Sequence, residues 1–260
     1  MSLRQVNAVR YVAPLREGGS LPGLIEADVG LLYVVKMRGA GQGPLALVAE
    51  VITGELARAL GMHVPDLVVV QFDHLFGRQE RDPEIRDLLR ASVGTNMGLA
   101  FLEGSTTFDP AAGDACSPAD ASLIVWLDAF TLNVDRTSRN PNLLRWNQET
   151  WLIDHGASLY FHHNWPTAAS KISAPFQAIA EHVLLRWAAD MEGASSLAHE
   201  KLSANVIEHI VNLVPSEWLA NEDLVDPEER RTGYRDFLMR RLVESSIFEQ
   251  EVRRARASVV

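Results

Sequence analysis

The segments FTLNVDRTSRNPNLL, residues 130–144, and ETWLIDHGASLYF, residues 149–161, contain the chain's most chemically suggestive spacing. Asp135, Asn140 and Asp154 are short oxygen-bearing side chains set between two of the most hydrophobic stretches. One carboxylate and one amide, with room left for waters and a phosphate, suit Mg2+, which dehydrates reluctantly and takes few protein ligands. Asn140 and Asp154 are the expected metal ligands, and Asp135 is then free to accept a proton or orient a hydroxyl. An ordinary reading stays open for each residue alone, because Asp and Asn routinely cap turns. It is weakest for Asp154, since a carboxylate after a buried strand needs a partner.

Several elements must position these groups. Asp154 ends the apolar run WLI, which is expected to lie antiparallel to NLLRW in a hairpin. Such a hairpin returns the end of its second strand to the loop before its first, which makes the three residues neighbours. Upstream, the strand-like LLYVVK ends in Lys36, one of only three lysines among 24 basic residues. Where arginine is the default cation, this lysine marks either a need for a compact ammonium or a strand-end charge in solvent.

The rest of the chain is punctuated by Gly and Pro. RQVNAVRYVA alternates as a strand, REGGSLPG breaks it, and GLLYVVKM reads as the next strand. LALVAEVITGELARALG has helical spacing and stops at Gly61. VPDLVVVQFD predicts a strand, RDPEIRDLLRAS a short helix, and NMGLAFLEG a strand or connector. The small-residue loop STTFDPAAGDACSPAD marks a join, and Ser117 or Asp120 is placed to start the helix ASLIVWLDAFTLN. A helical tail is expected from FQAIAEHVLLRWAADME through LSANVIEHIVNLVP to ERRTGYRDFLMRRLVESSIFEQEVRRARA. The pattern predicts a sheet-plus-helix first lobe over 1–104 and a mostly helical second lobe over 105–260.

Composition narrows the function classes. At 47% hydrophobic, 260 residues fill a sizeable core. A net charge of −10 argues against a protein that grips nucleic acid or an anionic membrane, so any phosphate must meet local donors. Apolar runs such as LIVWLDAFTL are short and interrupted by Asp128, and the N-terminus lacks a basic-then-apolar secretory pattern. A cytoplasmic protein is expected. The single Cys116 permits no internal disulfide and, without an evident partner, is expected to be incidental rather than a nucleophile. A transition-metal site at His155, His162 and His163 is disfavoured, because no Cys or Glu completes a ligand spacing. The six tryptophans are expected in the core rather than on a base-stacking platform.

In chain order, VVK, EVITGELARALG, NVDRTSRN and LIDHG resemble the HipA-like kinases, relatives of the protein kinase and phosphoinositide kinase fold. The resemblance covers roughly residues 18 to 165, and LVPSEWL with the helical tail resembles a compact branch of that group. It implies an α+β, two-lobed protein-kinase-like fold: a small β-rich lobe with one key helix, a mostly helical C-terminal lobe, and ATP between them. Lys36 then pairs with the ATP phosphates and Glu50 holds that lysine, while Glu55 falls on another helix face. Asp135 corresponds to the catalytic-loop Asp, Asn140 to the metal-binding Asn, and Asp154 to the metal-binding Asp of the DFG-type motif, written here DHG. The turn with Gly18, Gly19, Ser20 and Gly23 would offer backbone N–H groups to phosphate, or serve as a linker. Phe101 and Leu102 complete the implied nucleotide-binding set.

Two positions depart from the family pattern. Thr137 stands where relatives often carry His after Asp-Arg, and His155 replaces the aromatic of DFG. The implied function is ATP- and Mg-dependent phosphate transfer to a hydroxyl of a protein Ser/Thr or a small-molecule alcohol. A nucleotide-binding regulator or scaffold is the alternative, and retention of Lys36, Asp135, Asn140 and Asp154 together favours the enzyme.

Overall fold

A computed structural model describes residues 2–15, 21–41, 43–220 and 226–260. Period-two patterning builds its first half. β1 (Arg4–Pro14), β2 (Gly23–Ala27), β3 (Leu32–Lys36), β4 (Leu67–Phe72) and β5 (Gly94–Ala100) close into a barrel in the order β1-β2-β3-β5-β4. Neighbouring strands are antiparallel except β1 and β4, which pair in parallel from Arg4↔Val68 to Asn7↔Gln71.

Successive side chains of a strand face opposite ways. Val68, Val70 and Phe72 of β4 accordingly fill the barrel, while Leu67 and Val69 pack outward. β3 follows the same rule: Tyr33 and Val35 point in, so Lys36 points out, on the face of its register partner Met97. Strand parity alone sends the ammonium out of the barrel. Inside, the Gly98 position has no room for a side chain, since a Cβ there would stand 2.6 Å from Val70 Cγ2.

The outer face is covered by α1 (Pro44–Ala59), which starts with Pro at its first position and buries Leu47, Val51, Leu56 and Glu50. One apolar cluster runs from Val69, Met97 and Leu99 through α1 to Phe130, Leu143 and Trp218. A shorter helix, α2 (Pro83–Ala91), is capped by Asp82, which accepts from Glu84 N at 2.9 Å. Beyond the barrel, β6 (Thr106–Thr107), β7 (Leu143–Trp146) and β8 (Glu149–Leu152) form a small antiparallel sheet. This is the predicted hairpin with one short strand added.

α3 (Pro118–Thr131) is apolar all round and buried from Ala121 to Thr131. Ser117 caps its start by accepting from Asp120 N at 3.1 Å. Its last turn is capped from outside. Arg241 of α8 (Pro227–Val243) donates to the carbonyls of Ala129 and Phe130 at 2.8 and 2.9 Å. α4 (Ala168–Ile172), α5 (Met191–Lys201), α6 (Ala204–Asn212), α7 (Ser216–Leu219) and α9 (Ser246–Arg256) complete the described helices. Among the described residues no helix is long and apolar enough to cross a membrane.

Three expectations are corrected. GLIEA forms β2, where the sequence pattern placed only a break before the strand ending in Lys36. The helix expected over FQAIAEHVLLRWAADME does not form; it is replaced by two 3-10 turns, Gln177–Glu181 and Leu185–Trp187. Between them Val183 N donates to Arg136 O at 3.1 Å and His182 bridges to Thr137, so tertiary partners take the backbone groups a helix would use. The last tail segment is broken at Glu244 and Ser245 into α8 and α9.

Candidate active site

Lys36 is buried, at 9% exposure, which rules out a strand-end charge in solvent. Its Nζ donates to Glu50 Oε1 and, at 2.5 Å, to Asp154 Oδ1. Glu50 comes from the fully buried side of α1, whereas Glu55 turns away and pairs with Arg58 at 3.3 Å. Burial opposes the Lys36 charge, but the two carboxylates more than offset it and hold the ammonium above its ordinary pKa. Burial likewise opposes the Asp154 charge, and Lys36 prevails, holding that carboxyl below its usual range. The glycine of DHG is steric: a Cβ on Gly156 would sit 3.2 Å from Glu50 Oε1.

Asp154 itself lies in the left-handed region, φ 55, which Asp tolerates better than most residues. Across the hairpin, Asp135 Oδ2 accepts from Asn140 Nδ2 at 2.9 Å and from Asn142 Nδ2 at 3.3 Å. Asn142 is the link between the two groups. Its carbonyl accepts from Ile153 N at 3.1 Å, immediately before Asp154, while its amide holds the Asp135 carboxylate. Lys36, Glu50 and Asp154 thus form one bonded group, Asp135 and Asn140 another, and Asn142 ties them.

Beneath both lies a buried ionic knot that the sequence reading missed. Asp128 of α3 accepts from Arg136 Nε at 2.6 Å, His182 Nε2 at 2.8 Å and Asn133 Nδ2 at 2.9 Å. Burial works against its charge, yet Arg136 and His182 hold the carboxyl far below the usual range. Arg136 also donates to the Asn142 carbonyl, to Ile153 O at 3.4 Å and to His155 Nδ1 at 3.2 Å. Burial, reinforced by that guanidinium, pushes His155 down to about 3, so its ring is neutral. One arginine therefore gathers the Asp135 loop, the hairpin and DHG. The signal was present in Asp128, a charge inside an otherwise apolar helix, which has to be paired. Leu132, Asn142, Asp154 and Leu159 all have positive φ. Such strain costs on the order of 1 kcal/mol or more per residue and concentrates where geometry is over-determined.

Other expected residues lie elsewhere. Gly18, Gly19 and Ser20 fall outside the described residues. Gly23 sits in β2 rather than in a turn, and a Cβ on it would meet Tyr11 Cε2 at 2.7 Å and Met37 Cε at 2.8 Å. It serves barrel packing. Phe101 and Leu102 follow β5; Phe101 N donates to Leu32 O at 3.0 Å with its ring partly exposed, and Leu102 is buried. Among the described residues no hydrogen bond joins Gly23, Phe101 or Leu102 to the Lys36 group. Cys116 is buried, and burial pushes its thiol up to about 11, so it is a poor nucleophile.

Among the described residues no three or more His, Cys, Asp or Glu side chains gather into a metal-holding group. His155 is bonded to Arg136, and His162 to Tyr234 at 3.0 Å. A hard cation with few protein ligands is a different requirement, and the donors present fit it. Asn140 is exposed, its amide nitrogen directed to Asp135 and its amide oxygen without a partner among the described residues, and Asp154 keeps 36% of its side chain accessible. Both donors are oxygen, as Mg2+ requires.

Solved structures share this architecture. The Helicobacter pylori proinflammatory kinase CtkA superposes with a TM-score of 0.59 at 10% identity, over 94% of this chain and 96% of that one. Golgi casein kinase with Mn/ADP bound gives a TM-score of 0.50 at 11% identity, over 100% of this chain and 75% of that one. At such identities the likeness concerns the fold alone. No curated protein sequence matches the chain. The pattern of the HipA-like kinases, however, matches residues 9–246, most of the length, and the chain belongs to that family.

Proposed function

We propose that this protein is an ATP- and Mg-dependent phosphotransferase that moves the γ-phosphate to a hydroxyl acceptor, working between lobes that divide near residues 104 and 105. The observation that carries the reading is Lys36 Nζ bonded at once to Glu50 of α1 and Asp154 of DHG. Phosphoryl transfer asks a protein mainly for positioning and charge neutralisation, and this arrangement supplies both. Glu50 and strand parity fix the ammonium where phosphate oxygens would meet it. Asn140 and Asp154 are the residues to hold Mg2+, which when bound neutralises charge on those oxygens. Asp135, kept in place by the Asn140 and Asn142 amides, accepts the acceptor's hydroxyl proton. As the acceptor oxygen bonds to the γ-phosphorus, the bond from that phosphorus to the β,γ-bridging oxygen breaks, its electron pair leaving with ADP. Arg136, anchored on Asp128, holds the backbone of the loop rather than touching substrate.

The test is the Asp135→Asn variant, compared with the parent chain for ATP/Mg-induced thermal stabilisation and for phosphate transfer. Stabilisation should persist while turnover falls roughly 100- to 10,000-fold, the usual weight of general-base assistance. Unchanged turnover would remove Asp135 from the mechanism. Stabilisation of the parent chain without any ATP consumption would make it a nucleotide-binding module instead.

A further inference from the structure

The loop that carries Asp135 and Asn140 has a second face. Thr137, Ser138 and Arg139, the residues between them, line a cavity of about 600 Å3 whose opposite wall includes Glu181, Arg186 and Val259. The backbone of the loop is stiff here: Thr137 N donates to Asn140 O at 3.0 Å, Asn140 N to Thr137 O at 3.2 Å, and Thr137 bridges to His182. Arg186 is fixed as well, its guanidinium carbon 4.4 Å from the centre of the Trp187 ring.

Charge distinguishes this cavity from the rest of the surface. In a chain with 34 acidic and 24 basic residues, arginines have ample carboxylates to pair with, and many do. Arg139 and Arg186 form no ion pair among the described residues, and neither does Glu181. Two guanidiniums against one carboxylate leave the cavity net positive in a protein whose net charge is −10. Guanidinium pairs of this kind recognise carboxylate and phosphate through paired N–H donors.

We propose that this cavity is the acceptor subsite, taking a carboxylate or phosphate carried near the receiving hydroxyl through Arg139 and Arg186; this rests on the phosphotransferase reading. Arg139 adjoins Asn140 and lies four residues from Asp135 in the same loop, so a ligand whose anion is held in the cavity and which extends past Asn140 would bring its hydroxyl to Asp135. Glu181 limits the charge the cavity accepts and disfavours densely anionic ligands. Specificity would then come from the anion, not from the hydroxyl.

The experiment uses the full chain without nucleotide, so it does not depend on phosphate transfer. O-phosphoserine and the N-acetylated, C-amidated peptides Ser-Glu-Glu and Ser-Gln-Gln, the last without any carboxylate, are titrated while Trp187 is followed by indole N–H NMR shifts. Either anionic probe should bind and the neutral peptide should not; whichever binds more tightly identifies a phosphorylated or an acidic source. The pair Arg139→Gln and Arg186→Gln should weaken binding at least tenfold. Glu181→Gln, which removes the opposing charge, should strengthen it several-fold, a gain that a misfolded variant would not show. No binding to the parent chain, or equal binding to all variants, overturns the subsite. ATP turnover by a chain that binds neither anion overturns the subsite alone. Anion binding by a chain that neither binds nor consumes ATP overturns the acceptor role together with the phosphotransferase reading.

Discussion

Single side chains whose protonated form burial does not tolerate make the molecule sensitive to acid. His162 is 2% exposed, its Nδ1 3.0 Å from the Tyr234 hydroxyl and its Nε2 without a partner among the described residues. Burial, helped by His163 and Arg230, pushes its pKa down to about 3, while Phe161 and Tyr234 place uncharged rings beside it. The unfolded chain takes up this proton near pH 6.5 and the folded chain does not, so folding is favoured above that pH and loses stability as pH falls toward 3. The loss is about 1.4 kcal/mol per pH unit. Between pH 7.5 and 5.0 the chain should therefore lose about 2 kcal/mol from this residue, read as a lower urea midpoint, and His162→Gln should recover most of it. His155, likewise pushed down to about 3, and His182, also held below its ordinary value, leave further dependence behind in that variant. A variant as acid-sensitive as the parent would assign the effect elsewhere.

At the scale of elements, the site depends on how α3 ends. The helix stops at Leu132, φ 60, and the chain turns directly into Asn133 and Asp135. Its last carbonyls are satisfied by Arg241, which also donates to Ile172 O at 2.9 Å, so one side chain from α8 caps α3 and ties it to α4. Arg241→Met keeps the stem and removes these donors. Five hydrogen bonds from a charged group go with it, and unfolding free energy should fall by about 3 kcal/mol or more, with reduced turnover because the Asp135 loop loses its anchor. A loss under about 1 kcal/mol in urea titration would show the cap to be dispensable. Much of this scale was legible in the sequence, because helical spacing, the Ser117 cap and the stop at Gly61 are local signals. The segment over 176–192 was not. Its apolar spacing suits a helix, but His182 and Val183 bond to Asp128 and Arg136, some fifty residues away, and no local pattern announces that.

Across the whole molecule, charge sets what the proposed ATP binding would require. Near the site, Glu50, Asp154 and Asp135 outnumber Lys36, so an approaching polyphosphate meets net repulsion unless a divalent cation intervenes. Chelation with EDTA should remove the ATP-induced rise in melting temperature and weaken nucleotide binding at least tenfold, and Mg2+ should restore both. Full stabilisation by ATP in EDTA would discard the metal role of Asn140 and Asp154. The sequence by itself determined the candidate residues, the α+β pattern of strands and helices, and the hairpin, because side-chain chemistry, capping and two- or 3.6-residue periodicity are properties of short segments. Only the tertiary structure decided which strands close the barrel, that Lys36 faces α1, that Gly23 serves packing, and that Asp128, Arg136 and His182 form the support beneath the site. Those outcomes depend on desolvation and on contacts between residues far apart in the chain. A carboxylate's partner, unlike its place in a helix, exists only once the whole chain has folded around it.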